Sequence, residues 1–260
     1  MPGLCFLCLS LLSVKRRTSY PVVTEQVEKA GEAVAQAQAK KKTSGQRGRP
    51  KGSKNRNRRE VELSPSLQFI PEQIKRWLQQ IGDAFKGVYF IFDGELGHHD
   101  AMQMVRQVGL HWVSKLRHNS ALYFPYAGPY AGRGPQRKYG KTLDSKNIPS
   151  AYLQATSIDE EIETTIYQMA LWHKKFAEML NIVVIVTRDL QTHKTAQVVL
   201  FRSDLTLGYA PLIDYYRLRF QREFNFRDAK QYWGLEDFMS VKATPVYKSA
   251  HLAMCMVNVS

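Results

Sequence analysis

Tyr216-Arg217-Leu218-Arg219-Phe220-Gln221-Arg222-Glu223, followed two residues later by Phe226-Arg227-Asp228-Ala229-Lys230-Gln231, is the stretch that decides the fold. Wound as one helix at about 100° per residue, it brings Tyr216, Arg219, Glu223 and Lys230 within about 60° of one another. Ile213, Phe220 and Phe224 flank that stripe on one side, and Tyr215, Phe226 and Trp233 on the other. Arg217, Gln221, Arg222, Asn225 and Asp228 take most of the opposite face. An acid, two bases and a phenol therefore point between apolar shoulders, where a carboxylate is costly unless a cation holds it. A solvated helix with ordinary i,i+4 ion pairs would set its charges opposite the aromatics. The expectation is one continuous helix with the face of a site.

Those four residues at those offsets resemble the Tyr-Arg-Glu-Lys signature of bacterial insertion-sequence transposases. The likeness covers most of residues 85–240 and extends more weakly toward the N-terminus. It implies an α/β fold, a ribonuclease-H-like mixed sheet with flanking helices, carrying an Asp-Asp-Glu metal site. It also implies metal-dependent phosphoryl transfer on DNA: transposon ends are cleaved and joined to a target by paired magnesium or manganese ions held by carboxylates. Homodimerisation in the DNA complex belongs to the same implication.

The second landmark lies upstream. Val88-Tyr89-Phe90-Ile91-Phe92 is a short apolar run of strand type between glycines, ending on Asp93-Gly94. His99 to Val108 follows with helical spacing, and His111 to Leu116 reads as the next strand. A β-α-β unit with a carboxylate at the end of its first strand places that group where open α/β sheets put ligands. A turn or cap residue is the plainer reading of Asp93. By resemblance, Asp93 matches the second catalytic Asp and Glu223 the catalytic Glu. Both then ligate metal, while Tyr216, Arg219 and Lys230 contact DNA. The family's first Asp has no match: Asp83, the only Asp upstream of Asp93, sits in a glycine-bracketed turn. The expectation is a partial, inactive copy that lacks the first strand and exposes the edge of Val88 to Phe92.

Charge points to the partner. The chain of 260 residues carries +14 at neutral pH with 44% hydrophobic residues, enough for a core and suited to a polyanion. Lys40 to Arg59 alone holds ten Lys or Arg and no acid. With almost no apolar side chains, that segment cannot bury enough surface to fold by itself. At its centre, Arg47-Gly48-Arg49-Pro50-Lys51 resembles an AT-hook: thin backbone lets Arg47 and Arg49, with Lys51 beside them, approach an A/T-rich minor groove. A solvated basic linker gripping phosphates is the alternative. Double-stranded DNA is the partner on either reading. The domain reading is 1–29, strands of the catalytic core; 30–66, a disordered basic insertion; and 67–260, the rest of the core.

Other features narrow the field. Leu4 to Val14 is apolar, but its basic residues follow rather than precede the run, so it reads as a strand and not a signal peptide. It is too short to span a bilayer as a helix, and a second strand follows near Ser19 to Val27. With no other membrane-like segment, the expectation is a cytoplasmic, nucleoid-associated protein. Cys5 and Cys8, lacking a second pair, read as buried thiols in that strand rather than a zinc site. Leu67 to Ile81 is helical, with Pro71 in its first turn. His98 and His99 have no third ligand partner and read as loop and cap residues. Ala127 to Lys146 reads as a basic loop whose interleaved tyrosines suit DNA backbone. Within it, Gly134 to Thr142 misses a phosphate-binding loop by its spacing, its Pro135 and the absence of a preceding strand. Glu163 to Leu171 is strand or helix, and Asn181 to Val186 with Ala196 to Phe201 forms a hairpin. Asp204 reads as a turn or cap residue and a rival for the site. A non-catalytic DNA-binding remnant and a structure-specific nuclease remain the alternatives to a transposase.

Overall fold

The computed structural model describes residues 5–27, 62–84, 87–130, 132, 134–239 and 242–259. Arg47, Arg49 and Lys51 lie outside them. The chain divides into two compact units. One comprises residues 1–11, 19–60 and 222–260, and the other residues 12–18 and 61–221.

The larger unit is built on one mixed sheet. Its strands are β3 (Tyr89–Ile91), β4 (His111–Leu116), β5 (Leu122–Pro125), β6 (Tyr139–Thr142), β7 (Leu153–Asp159), β8 (Ile162–His173), β9 (Met179–Asp189) and β10 (Thr195–Arg202). Their order is β3-β4-β10-β9-β8-β5-β6, with β7 added beside the first half of β8. The β3–β4 pair is parallel and the remaining pairs are antiparallel. Among the described strands β3 is therefore the outermost on its side.

Alternation sends side chains to two different cores. Phe90, Trp112, Leu171, Leu180, Ile182, Val184, Val199 and Phe201 pack with helix α1 (Pro65–Ile81) and helix α2 (His99–Arg106) on one face. Tyr89, Ile91, Val113, Val183 and Leu200 face the other way, onto Leu212 and Ile213 of helix α3 (Tyr209–Leu218). Asp93 continues the odd-numbered row of β3, the row that faces α3.

Several local expectations change. Pro65 stands at the start of α1, so Pro71 sits inside the helix rather than in its first turn. Glu163 to Leu171 resolves as part of the long strand β8. Within the expected loop 127–146, Tyr139 to Thr142 pairs with β5. Lys141 is thus on a strand rather than in a loop. The signature helix is not continuous. It stops at Leu218 and resumes as α4 (Gln221–Trp233). Between them the Arg219 N–H donates to Tyr216 O and the Phe220 N–H to Arg217 O, three residues back rather than four. A single 100° wheel therefore does not describe Tyr216, Arg219, Glu223 and Lys230 together.

The smaller unit contains the hairpin of β1 (Phe6–Ser13) and β2 (Thr18–Gln26), apart from its tip, with α4 and α5 (Ala243–Met256). Cys8, Ala229, Ala253 and Met254 form its core. Asn225 donates to Ser19 Oγ at 2.8 Å, and Asn258 donates to the Pro21 carbonyl at 2.7 Å. Burial pushes the Cys8 thiol pKa up. Cys5 is exposed, which corrects the expectation of two buried thiols. No described helix is long and apolar enough to cross a membrane.

Candidate active site

Asp93 stands where β3 ends and a short 3-10 turn, Gly94–Leu96, begins. Its Oδ1 accepts from the Gly94 N–H at 2.6 Å, so it does cap a turn. The turn is packed tightly against β4. Ser114 Oγ donates to the Asp93 carbonyl at 2.9 Å, and a Cβ on Gly97 would lie 2.4 Å from the Lys115 carbonyl oxygen. Only glycine fits there without moving the turn, and with it Asp93.

Helix α3 supplies two further groups. The Tyr216 hydroxyl donates to Asp93 Oδ1 at 3.3 Å, and Arg219 Nη1 lies 3.8 Å from Asp93 Oδ2. Arg219 also lies over the Tyr216 ring, 5.5 Å from its centroid. The Gly94 N–H, followed by the Arg219 charge and the Tyr216 hydroxyl, holds the Asp93 carboxyl below its ordinary pKa despite partial burial. Burial, reinforced by the Asp93 charge, raises the Tyr216 phenol. Two of the four signature residues thus converge on the carboxylate at the end of β3.

The loop entering α3 is fixed by groups that sequence reasoning missed. Asn181 Nδ2 donates to the Leu207 carbonyl at 3.0 Å and reaches those of Leu205 and Asp204 at 3.4 and 3.5 Å. Gln168 Nε2 donates to Leu207 O at 2.8 Å and to Asn181 Oδ1 at 3.0 Å. Two amides on apolar strands carry no signal of partners so distant in sequence. Asp204 belongs to this anchor. Its Oδ1 accepts from Thr206 N and Oγ1, and its Oδ2 accepts from the Tyr89 hydroxyl and lies 3.2 Å from Arg202 Nη2. Arg202 is fully buried. Its cation gives Asp204 a structural task, in keeping with the turn reading. His98 likewise caps α2, its Nδ1 accepting from the Ala101 N–H.

Glu223 and Lys230 lie on α4 in the other unit, where Lys230 pairs with Glu236. Among the described residues, no three His, Cys, Asp or Glu side chains gather as a metal site.

The family model described as DDE superfamily endonuclease matches residues 3–179. The chain belongs to the DDE superfamily endonucleases. Asp93 lies inside the matched span, and Tyr216, Arg219, Glu223 and Lys230 lie beyond it. No curated protein matches the chain significantly. Mixed sheet and flanking helices agree with a ribonuclease-H-like DDE endonuclease. Membership implies a nuclease- or transposase-type activity on DNA in a family that is generally dependent on divalent metal. The residues around Asp93 do not by themselves fit a metal pair. They offer one half-exposed carboxylate, already engaged by a backbone N–H, a phenol and a guanidinium.

Proposed function

We propose that this DDE endonuclease is a transposase core of the insertion-sequence type, and that the 260-residue chain binds DNA without cleaving it. Asp93 and Glu223 stand at the positions of the family's catalytic, metal-ligating carboxylates. Arg219, Tyr216 and Lys230 are DNA contacts, and Arg47, Arg49 and Lys51 grip the duplex, transposon ends or target, in the minor groove. The domain division 1–29, 30–66 and 67–260 belongs to this reading, as does pairing of two copies on DNA. So does residence in the cytoplasm on the nucleoid.

The observation that carries the reading is the contact of Tyr216 and Arg219 with Asp93. A carboxylate at a strand end, flanked by a planar cation, suits a phosphodiester. The guanidinium can turn from carboxylate to phosphate, and the phenol can orient the strand. Inactivity follows from the carboxylate count, because two where the family uses three leave the acidic set short. The same shortfall favours, as a second reading, a non-catalytic DNA binder that competes with an intact transposase for ends or subunits.

The test is supercoiled plasmid incubated with the purified chain and magnesium or manganese, beside a Glu223→Gln control. Equal, background-level nicking is expected. Nicking that Glu223→Gln abolishes would overturn the proposed inactivity. Joining of a 3′ end to target DNA would then distinguish a transposase from a structure-specific nuclease.

A further inference from the structure

Helix α5 buries one face and exposes the other. Val246, Ala250, Ala253 and Met254 turn inward, the last two into the core that holds Cys8. Lys248, His251, Leu252 and Cys255 turn outward at helical spacing, and Val259 follows just past the helix end. Leu252 is 62% exposed and Val259 79%. Within α5, Lys248 is the only Lys or Arg, and there is no acid. On this outer face His251 and Cys255 stand one helical turn apart, with Cys255 Sγ 3.5 Å from His251 Nδ1. The Tyr247 ring lies beside the imidazole, 6.0 Å between centroids.

We propose that His251 and Cys255 form half of a structural zinc site, completed by the same two residues of a second copy of the chain. The separation of the two donor atoms suits a single ion. With Zn–S about 2.3 Å and Zn–N about 2.0–2.1 Å, a tetrahedral centre holds its sulfur and nitrogen about 3.6 Å apart. The helix therefore sets the pair at that bite beforehand, and zinc takes the place of the proton between thiol and imidazole. Thiolate and imidazole donors select zinc, whereas magnesium takes oxygen ligands. Structural zinc needs four ligands, and no third His, Cys, Asp or Glu joins these two among the described residues. A two-fold axis supplies the other two, because an isologous contact brings His251 and Cys255 of both chains to one ion. Each thiol gives up its proton to water, and the two thiolates neutralise the dication. Leu252 and Val259, on either side of Cys255 in sequence, then lose apolar surface to the partner. Pairing of this kind needs no DNA and does not rest on the DNA reading.

The experiment titrates the full chain with cobalt or zinc in a non-chelating reductant, following cobalt absorption and, by light scattering, mass. Cobalt should give a thiolate charge-transfer band with the visible bands of a tetrahedral centre, saturating at one metal per two chains. Zinc should displace it and bleach those bands. Zinc should also double the mass at the same stoichiometry, and a chelator should restore it. Cys255→Ser and His251→Ala, both at exposed positions, should each lose the band and the mass change, with circular dichroism confirming the fold. Cys5→Ser, at the other exposed thiol, should keep both. Saturation at one metal per chain, or a mass that zinc leaves unchanged, would overturn the shared site. A band that survives Cys255→Ser, or one lost in Cys5→Ser, would overturn the choice of ligands.

Discussion

The Tyr216 hydroxyl lies 3.3 Å from Asp93 Oδ1, although 123 residues separate them in the chain. The contact exists because two separately built elements end at one place. β3 is fixed by β4, and α3 is seated on the opposite run of the same sheet through Leu212 and Ile213. Between Asp93 and Tyr216 lie most of the strands, so the sheet sets the distance.

Tyr216→Phe should raise the Asp93 pKa toward the usual carboxylate value without reaching it, since the Gly94 N–H, the larger cause, remains. A carboxyl held low in the fold adds stability that is present above its unfolded pKa, near pH 4. That stability is lost as pH falls through the folded value. The variant should therefore show a slightly shallower loss of stability on acidification, small because Asp93 is half exposed. Carboxyl carbon shifts followed by NMR titration give the pKa directly, and an unchanged value would remove the contact from the account.

The buried cation at Arg202 leads to a second expectation. Asp204→Ala leaves a fully buried guanidinium without its counter-ion and should destabilise the fold by about 3–5 kcal/mol. Arg202→Met, which removes the charge and keeps the volume, should cost clearly less. Urea midpoints at neutral pH measure both, and the opposite ranking would mean that Asp204 is not Arg202's chief partner.

How much of this was legible depends on where the determinants sit. The apolar run ending at Asp93, the α2 pattern and the β9–β10 hairpin were readable because each is decided by its own alternation or turn. Strand β7, Leu153–Asp159, was not, since nearly all its residues are exposed and no buried face imposes a pattern. Four-residue β6 takes its form from β5 rather than from its own residues. The break at Arg219 and Phe220 carries no Gly or Pro. It therefore left the helical spacing intact while ending the helix. Tyr216 and Arg219 still lie side by side, because Arg219, just past the end of α3, keeps a right-handed helical backbone (φ −49°, ψ −35°). Nothing in the spacing could reveal Gln168, Asn181 or Arg202, whose partners lie far along the chain.

Deleting Lys40 to Arg59 removes ten positive charges. Duplex affinity should fall steeply and the salt dependence of binding should flatten, because each phosphate contact contributes about 0.9 to the log–log slope. A preference for A/T-rich duplex, lost on deletion, would assign Arg47 and Arg49 to the minor groove. Unchanged affinity and slope would show that the grip lies elsewhere.

The last expectation concerns Asn181, which is almost fully buried and donates toward three carbonyls of the 204–207 loop. Asn181→Asp keeps the shape but replaces the donor with acceptors facing those carbonyls. Two penalties add: carbonyls lose their donor, and a charge is forced into a buried place where Arg202, opposite it on β10, is already paired with Asp204. Burial should then push the new carboxyl up until it is protonated near neutral pH, when it can donate once again. Folding stability should accordingly drop by about 2–3 kcal/mol at neutral pH and recover in part on acidification, the reverse of the trend expected from Asp93. Asn181→Leu, which cannot regain a donor, should be unstable at both pH values. Because this loop leads into α3, both variants should also loosen the Tyr216–Asp93 contact, letting the raised Tyr216 phenol fall toward its ordinary pKa in an ultraviolet titration. A Tyr216 titration unchanged in both variants would mean that α3 is held by its apolar packing alone.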